Sequence, residues 1–191
     1  MLLGKIVHLK LLMHTDVEKL YRIIQRDPSI TSYLIGGLNT LRDYERIVKK
    51  TLAEHQAGTV FPFVVIDNRF NQIIGSSRLY NYQAKERTIE LGHTWYAPEA
   101  RGTLVNTECK WLLLQYAFET LNVVRVQIKT DLRNQRAQRA IEKLGAVKEG
   151  VLRNERQLDD GYVRDAVIYS IIATEWSEVS ENLQARLSQL I

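Results

Sequence analysis

Trp95-Tyr96-Ala97-Pro98-Glu99-Ala100-Arg101-Gly102-Thr103-Leu104-Val105-Asn106-Thr107-Glu108 is the stretch on which the reading of this chain turns. An apolar strand ends at a proline, an Arg-Gly turn follows, and the turn opens directly into a helix. The first N–H groups of a helix have no acceptor within it, and the positive end of its dipole lies behind them. Such a turn favours an anion, often a phosphate. Downstream come an apolar strand, 124–130, and a short helix entered at Asn134 and closed by Leu144-Gly145. Together these imply a nucleotide-bearing ligand held against the ends of two strands.

Upstream, 88–96 reads as the strand feeding the turn, antiparallel to a strand at 73–80. A polar turn around Asn68 and Asn71 joins the latter to another strand at 61–67. Earlier still, 6–12 alternates as a first strand. Thr15-Asp16-Val17-Glu18 reads as a capping box, opening a helix with Val17, Leu20, Tyr21 and Ile24 on one face and ended by Asp27-Pro28. Thr40 with Asp43 forms a second box, and the helix it opens carries Tyr44, Ile47, Val48 and Leu52 until Gly58 stops it. Past the phosphate turn, helices are expected over 105–121 and 135–144. Strands at 147–157 and 163–173 flank the turn Asp159-Asp160-Gly161, the second alternating at Val163, Ala166, Ile168, Ser170 and Ile172. A polar helix over 174–189 follows. No repeat, low-complexity tract or linker divides the chain, so 1–191 is read as a single domain of α+β class. Its expected architecture is a mixed, mostly antiparallel sheet of about seven strands with helices on both faces.

The 191 residues suffice for a real core, and 45% apolar with 25% charged residues is ordinary globular usage. No apolar run approaches the roughly 20 residues that span a bilayer, and Met1-Leu2-Leu3-Gly4-Lys5-Ile6 lacks the layout of a signal peptide. Cys109 is the single cysteine, which excludes an intramolecular disulfide and any multi-cysteine metal site. The cytosol is the expected compartment. Net charge of +4 suits an anionic ligand, but no basic run interleaved with aromatics points to nucleic acid. His8, His14 and His55 show no ligand spacing, so no metal site is expected.

These residues resemble the GNAT superfamily of acyl-CoA-dependent N-acetyltransferases, and within it the RimJ/RimL-type branch of ribosomal-protein N-terminal acetyltransferases. The similarity covers nearly the whole chain, including Glu149-Gly150-Val151-Leu152-Arg153, Asp160-Gly161, Arg164-Asp165 and Glu175-Trp176. The family's pyrophosphate motif, Arg/Gln-x-x-Gly-x-Gly/Ala, matches 101–106 at Arg101 but meets Leu104 and Asn106 where small residues are usual. Leu104 is therefore expected to keep an ordinary negative φ with its side chain turned from the phosphates. The resemblance implies the GNAT fold, acetyl-CoA as acetyl donor, and direct attack of an amine on the thioester. It assigns the coenzyme to Trp95, Tyr96, Arg101, Gly102, Thr103, Leu104, Val105, Asn106 and Thr107, with Asn134 on the pantetheine arm. Backbone at Tyr96 would pair with that arm where the strand splays from its neighbour. Arg139 and Lys143, which share a helix face with Arg136, would meet phosphates, or else form a solvated face. At the two positions where the family often carries a proton-donating Ser and Tyr, this chain has Ala137 and Ile141, and neither can donate.

For the general base, the first candidate is Glu90, on the strand leading to the acetyl group. His93 is the second, since its intrinsic pKa suits proton transfer. Strict alternation puts the two on opposite faces of the strand, and only a bulge near Gly92 would unite them. Cys109 is expected to face the core. The acceptor is a polypeptide N-terminus or a small amine. Arg22, Arg26, Arg42, Arg46, Lys49 and Lys50 on the early helices argue against a polycation. The competing reading is a non-catalytic acyl-CoA-binding or interaction module on the same fold. The oligomeric state stays open, a homodimer included.

Overall fold

The computed structural model describes residues 1–33, 40–158 and 160–189. The first half of its sheet is a meander. β1 (Leu2–Leu3), β2 (Val7–Leu11), β3 (Phe61–Asp67), β4 (Gln72–Gln83) and β5 (Thr88–Tyr96) each lie antiparallel to the last. β6 (Arg125–Asp131) then runs parallel to β5. A parallel pair needs a crossover, and α3 (Val105–Gln115) supplies it. β8 (Val163–Ile172) inserts between β6 and β7 (Val147–Gln157), giving the order β1-β2-β3-β4-β5-β6-β8-β7. The mixed, mostly antiparallel sheet thus has eight strands. The strand beyond the expected seven is β1, too short to show an apolar period.

α1 (Val17–Arg26) and α2 (Leu41–Gln56) cover one face, packing Leu20, Ile24, Tyr44 and Val48 against Val64, Ile66 and Trp95. α3, α4 (Gln135–Glu142) and α5 (Trp176–Ser188) cover the other, over Val65, Leu91, Val126 and Tyr169. No helix among the described residues is long and apolar enough to cross a membrane.

The Thr40–Asp43 box forms as expected, with Thr40 Oγ1 accepting from the Asp43 N–H and the Asp43 carboxylate from the Thr40 N–H, both at 3.1 Å. The box expected at Thr15–Glu18 does not. A 3-10 turn over His14–Asp16 precedes α1 instead, and buried Asp16 accepts from the Met13 N–H at 2.9 Å and pairs with Lys10 at 2.6 Å. The local cap thus comes from Asp16, one residue beyond Thr15. The helix expected to reach 121 changes at Tyr116 to a π turn through Thr120. β8 is buried continuously over 166–171 rather than alternating. Asp159 of the expected hairpin turn lies outside the described residues.

Glu108 locks α3 to the start of the sheet. Its carboxylate accepts the N–H groups of Lys5, Ile6 and Val7 at 2.8, 2.7 and 2.7 Å. A Cβ at Gly4 would lie 2.6 Å from that carboxylate, so the β1–β2 turn can close over it only at glycine.

Candidate functional site

The phosphate turn takes its shape from Gly102 and Thr103. Gly102 has φ +75°, and a Cβ there would meet nothing within 4 Å, so the turn stands open. Thr103 Oγ1 donates to the Ala100 carbonyl at 2.7 Å and accepts from the Val105 N–H at 3.2 Å. Leu104 has φ −74°, as expected, and its carbonyl accepts from Glu108 N–H at 3.0 Å. The N–H groups of Asn106 and Thr107 therefore have no acceptor within the helix. Val105 and Thr107 bury their side chains, leaving only backbone to face a ligand. Asn106 Oδ1 accepts from the Tyr96 hydroxyl at 3.2 Å. This open, donor-rich turn fits a diphosphate.

Two residues assigned to the coenzyme are placed differently from the expectation. Trp95 turns its side chain into the core beneath α1 and α2, so only its backbone remains at the site. Arg101 pairs with Asp27 at 2.8 Å and donates from Nε to the Tyr96 carbonyl at 3.0 Å. The Tyr96 carbonyl thus already accepts one hydrogen bond, whereas the expectation named the Tyr96 backbone without choosing an atom. Asn134 caps α4, its Oδ1 accepting from the Ala137 N–H at 3.0 Å. Arg136, Arg139 and Lys143 are exposed, whereas Ile141 is core.

β5 and β6 pair only at Thr88–Arg125, Ile89–Val126 and Glu90–Gln127, although β5 continues to Tyr96 and β6 to Asp131. Beyond Glu90 the two strands part, and the β6-facing backbone of β5 is left without a strand partner. Above this fork lies the bulge on which a shared face for Glu90 and His93 depends. Ser76 pairs with Trp95 and Arg78 with Gly92, so His93 and Thr94 oppose one residue, and His93 has φ +47°. The extra residue returns His93 to the face of Glu90, where both border Tyr80. The His93 and Tyr80 rings meet edge to face at 5.1 Å, and Glu90 sits directly across the strand pair from Tyr80. Gly92 makes room, since a Cβ there would lie 3.2 Å from the Tyr80 ring.

Charges gather around this trio. Glu90 accepts from Asn81 Nδ2 at 2.8 Å, and Lys129 Nζ lies 3.4 Å from both Glu90 Oε2 and Glu155 Oε1. Glu155 also takes Arg156 and Arg164, each at 2.9 Å. Burial would raise the Glu155 carboxyl, but the hydrogen bonds from Arg156 and Arg164 outweigh it and hold it at about 2. Burial, then the charges of Arg78, Arg156, Lys129 and Arg164, push the His93 imidazole down to about 3. His93 is therefore neutral at any ordinary pH and a poor base, and Glu90 is the carboxylate beside it on the same face.

Lys110 escaped the sequence reading. It is buried on the α3 face of the bulge and donates to Thr94 Oγ1, and to Ser77 Oγ at 3.3 Å. Burial lowers it to about 8. Its one signal in the sequence is a lysine directly after core-facing Cys109, in the run that continues through Leu112-Leu113-Leu114.

The model of the acetyltransferase (GNAT) domain matches residues 7–147. A Bacillus subtilis (strain 168) protein provisionally named ribosomal N-acetyltransferase YdaF is 32% identical over 104 residues, which are 54% of this chain and 56% of that relative. The chain thus matches little more than half the length of that curated relative. A crystal structure from T. thermophilus, provisionally described as an acetyltransferase, is 34% identical with TM-score 0.86, covering 97% of this chain and 96% of its own. Mycobacterium smegmatis RimJ in complex with CoA-disulfide shares the fold at 20% identity and TM-score 0.82, over 94% of this chain and 88% of RimJ. With a family model spanning most of its length and the forked β5–β6 pair beside an open phosphate turn, this chain belongs to the GNAT acetyltransferase family.

Proposed function

We propose that this protein transfers the acetyl group of acetyl-CoA to a primary amine, by direct attack of the amine on the thioester. The observation that carries this reading is the fork beyond Glu90, which leaves the backbone of β5 unpaired along the stretch that leads from the Glu90 carboxylate to the turn before α3. The N–H groups of Asn106 and Thr107, above the open turn at Gly102, would hold the diphosphate, and the free edge of β5 the arm. An N–H of that edge would face the thioester oxygen as it gains charge. An α-amine, with a pKa of about 8, arrives mostly protonated. The cations around His93 disfavour its ammonium form, and Glu90 takes the proton directly or through one water. A thiol leaves readily as thiolate because its pKa is about 8.5, so water suffices as acid where Ala137 and Ile141 cannot serve.

The names of YdaF and RimJ support a polypeptide N-terminus as acceptor, which would put the protein in the cytosol with the ribosome. The missing proton donors favour one alternative, a non-catalytic acyl-CoA binder. Thermal shift with acetyl-CoA, followed by thiol release over peptides and small amines, tests both. Stabilisation with thiol release is the expected result. Stabilisation with silence across all amines would select the binder, and no shift at high ligand would refute both.

A further inference from the structure

Among the described residues two buried side-chain polar atoms lack a hydrogen bond, Arg78 Nε and Glu90 Oε2, the latter with only the Lys129 ammonium near it at 3.4 Å. Native interiors leave few such atoms, and each calls for an explanation. Here the two border one ring. Arg78 Cζ lies 5.6 Å from the Tyr80 centroid, and Glu90 faces Tyr80 across the strand pair. Arg78 is fixed by a 2.9 Å hydrogen bond from Nη1 to Thr51 of α2, and no carboxylate among the described residues lies within ion-pair distance of it. Glu54, whose charge reaches Arg78, pairs with Lys50 at 3.9 Å. The site as a whole holds Arg78, Lys129, Arg156 and Arg164 against Glu90 and Glu155, so positive charge is in surplus.

The geometry points to an acceptor that carries a carboxylate close to its amine, with the carboxylate seated on Arg78 while the amine faces Glu90. This inference rests on the acetyl-transfer reading and names its substrate class. A spare donor on one side of the ring and, on the other, a carboxylate oxygen whose cation Lys129 is shared with Glu155 match a ligand that brings an acceptor oxygen and an N–H. A carboxylate fits Arg78 better than a neutral carbonyl, because a charge-assisted hydrogen bond offsets the cost of a half-buried, unpaired guanidinium. The same surplus rejects polyamines and aminated sugars, which would add cations to cations. It also explains why the base need not be strong, since the amine enters a field that already disfavours its ammonium form.

Three pairs of acceptors test this with acetyl-CoA and the full chain. They are Asp-Ala against Asn-Ala peptide amides, Ala-Asp against Ala-Asn, and free alanine against alaninamide. The pairs distinguish a first-residue acid, a second-residue acid and an α-carboxylate. In at least one pair the acid is expected to show a KM about tenfold below its isostere. Arg78→Gln should bring that ratio to about one, and Arg78→Lys, which keeps the charge without Nε, should retain part of it. Calorimetric titration of the same compounds with CoA present separates the inference from the reading beneath it. Arg78-dependent binding of an acid without any transfer would overturn acetyl transfer and uphold the carboxylate site. Transfer with equal KM in all three pairs would overturn the carboxylate site and uphold transfer. A preference that survives intact in well-folded Arg78→Gln, or an absence of both binding and transfer, would also overturn it.

Discussion

Arg101 of the phosphate turn and Asp27 at the end of α1 form an ion pair at 2.8 Å, with each side chain about one-fifth exposed. A weaker pair, Arg26 with Glu99 at 3.4 Å, runs beside it. Asp27 also caps the 3-10 turn at Pro28–Thr31, accepting from the Ser29 N–H at 3.1 Å and the Ser29 hydroxyl at 2.6 Å. One carboxylate thus joins the proposed coenzyme turn to the segment leading toward Tyr33, whose ring lies 6.0 Å from Arg133 on the far side of the fork.

If Arg101 positions the turn rather than binding phosphate, Asp27→Asn and Arg101→Gln should weaken acetyl-CoA binding by a similar factor, about three- to tenfold. The double variant should then do no worse than either. Titration of acetyl-CoA into the three variants checks this. Tighter binding in Asp27→Asn would instead identify Arg101 as a phosphate ligand that Asp27 restrains.

Glu90→Gln keeps the shape of the side chain and removes its basicity. Turnover should fall at least about tenfold while the acetyl-CoA Kd changes little. Steady-state kinetics with a matched binding measurement decide it, and unchanged turnover would remove Glu90 as the base.

Acid should destabilise the protein in two stages. His93 is held at about 3 against an ordinary 6.5, so the unfolded chain binds more protons between those values. Its contribution is complete above pH 6.5 and declines as pH falls toward 3. Glu155, held at about 2 against 4.5, adds a second loss below pH 4.5. The thermal midpoint of the wild type should therefore drop between pH 7 and 5, and that of His93→Gln should drop less. Equal slopes in the two proteins would contradict a neutral, buried imidazole.

Lys110 acts in the opposite pH range. Its amine, at about 8 in the fold against 10.5, is buried as a cation at neutral pH. Between pH 8 and 10.5 the unfolded chain holds more protons, so stability should rise with pH across that window. Lys110→Met leaves Ser77 and Thr94 bonded to each other at 2.7 Å and removes the buried charge. The variant should match or exceed the wild type at pH 7 and lack the alkaline rise, as read by denaturant melts.

Gly102 and Gly58 both have φ +75° with open space where a Cβ would stand. Alanine at either should cost a similar ~1 kcal/mol of stability, since only the backbone conformation is strained. Only Gly102→Ala should also weaken acetyl-CoA binding, because Gly58 merely ends α2. Equal coenzyme affinity in the two variants would separate the turn at Gly102 from the ligand.

Local order was legible from residue types alone. Alternation bounds β3 and β5 at their observed ends, Thr40 and Asp43 cap α2, and the negative φ of Leu104 follows from its Cβ. These depend on neighbours within four residues, which a sequence displays directly. What contacts across the fold decide was hidden. Asp16 draws Lys10 from β2 while it caps the turn at Met13, and Arg101 turns to Asp27, because a charge pairs with whatever the packed chain brings nearest. The bulge at His93 could be named as a condition, but whether it exists depends on the register of β4 against β5. Residue order therefore determined which elements form and where an open glycine turn enters α3. Tertiary structure alone decided that Glu90, His93 and Arg78 share one ring, because a single extra residue in a paired strand exchanges the faces of the residues beyond it.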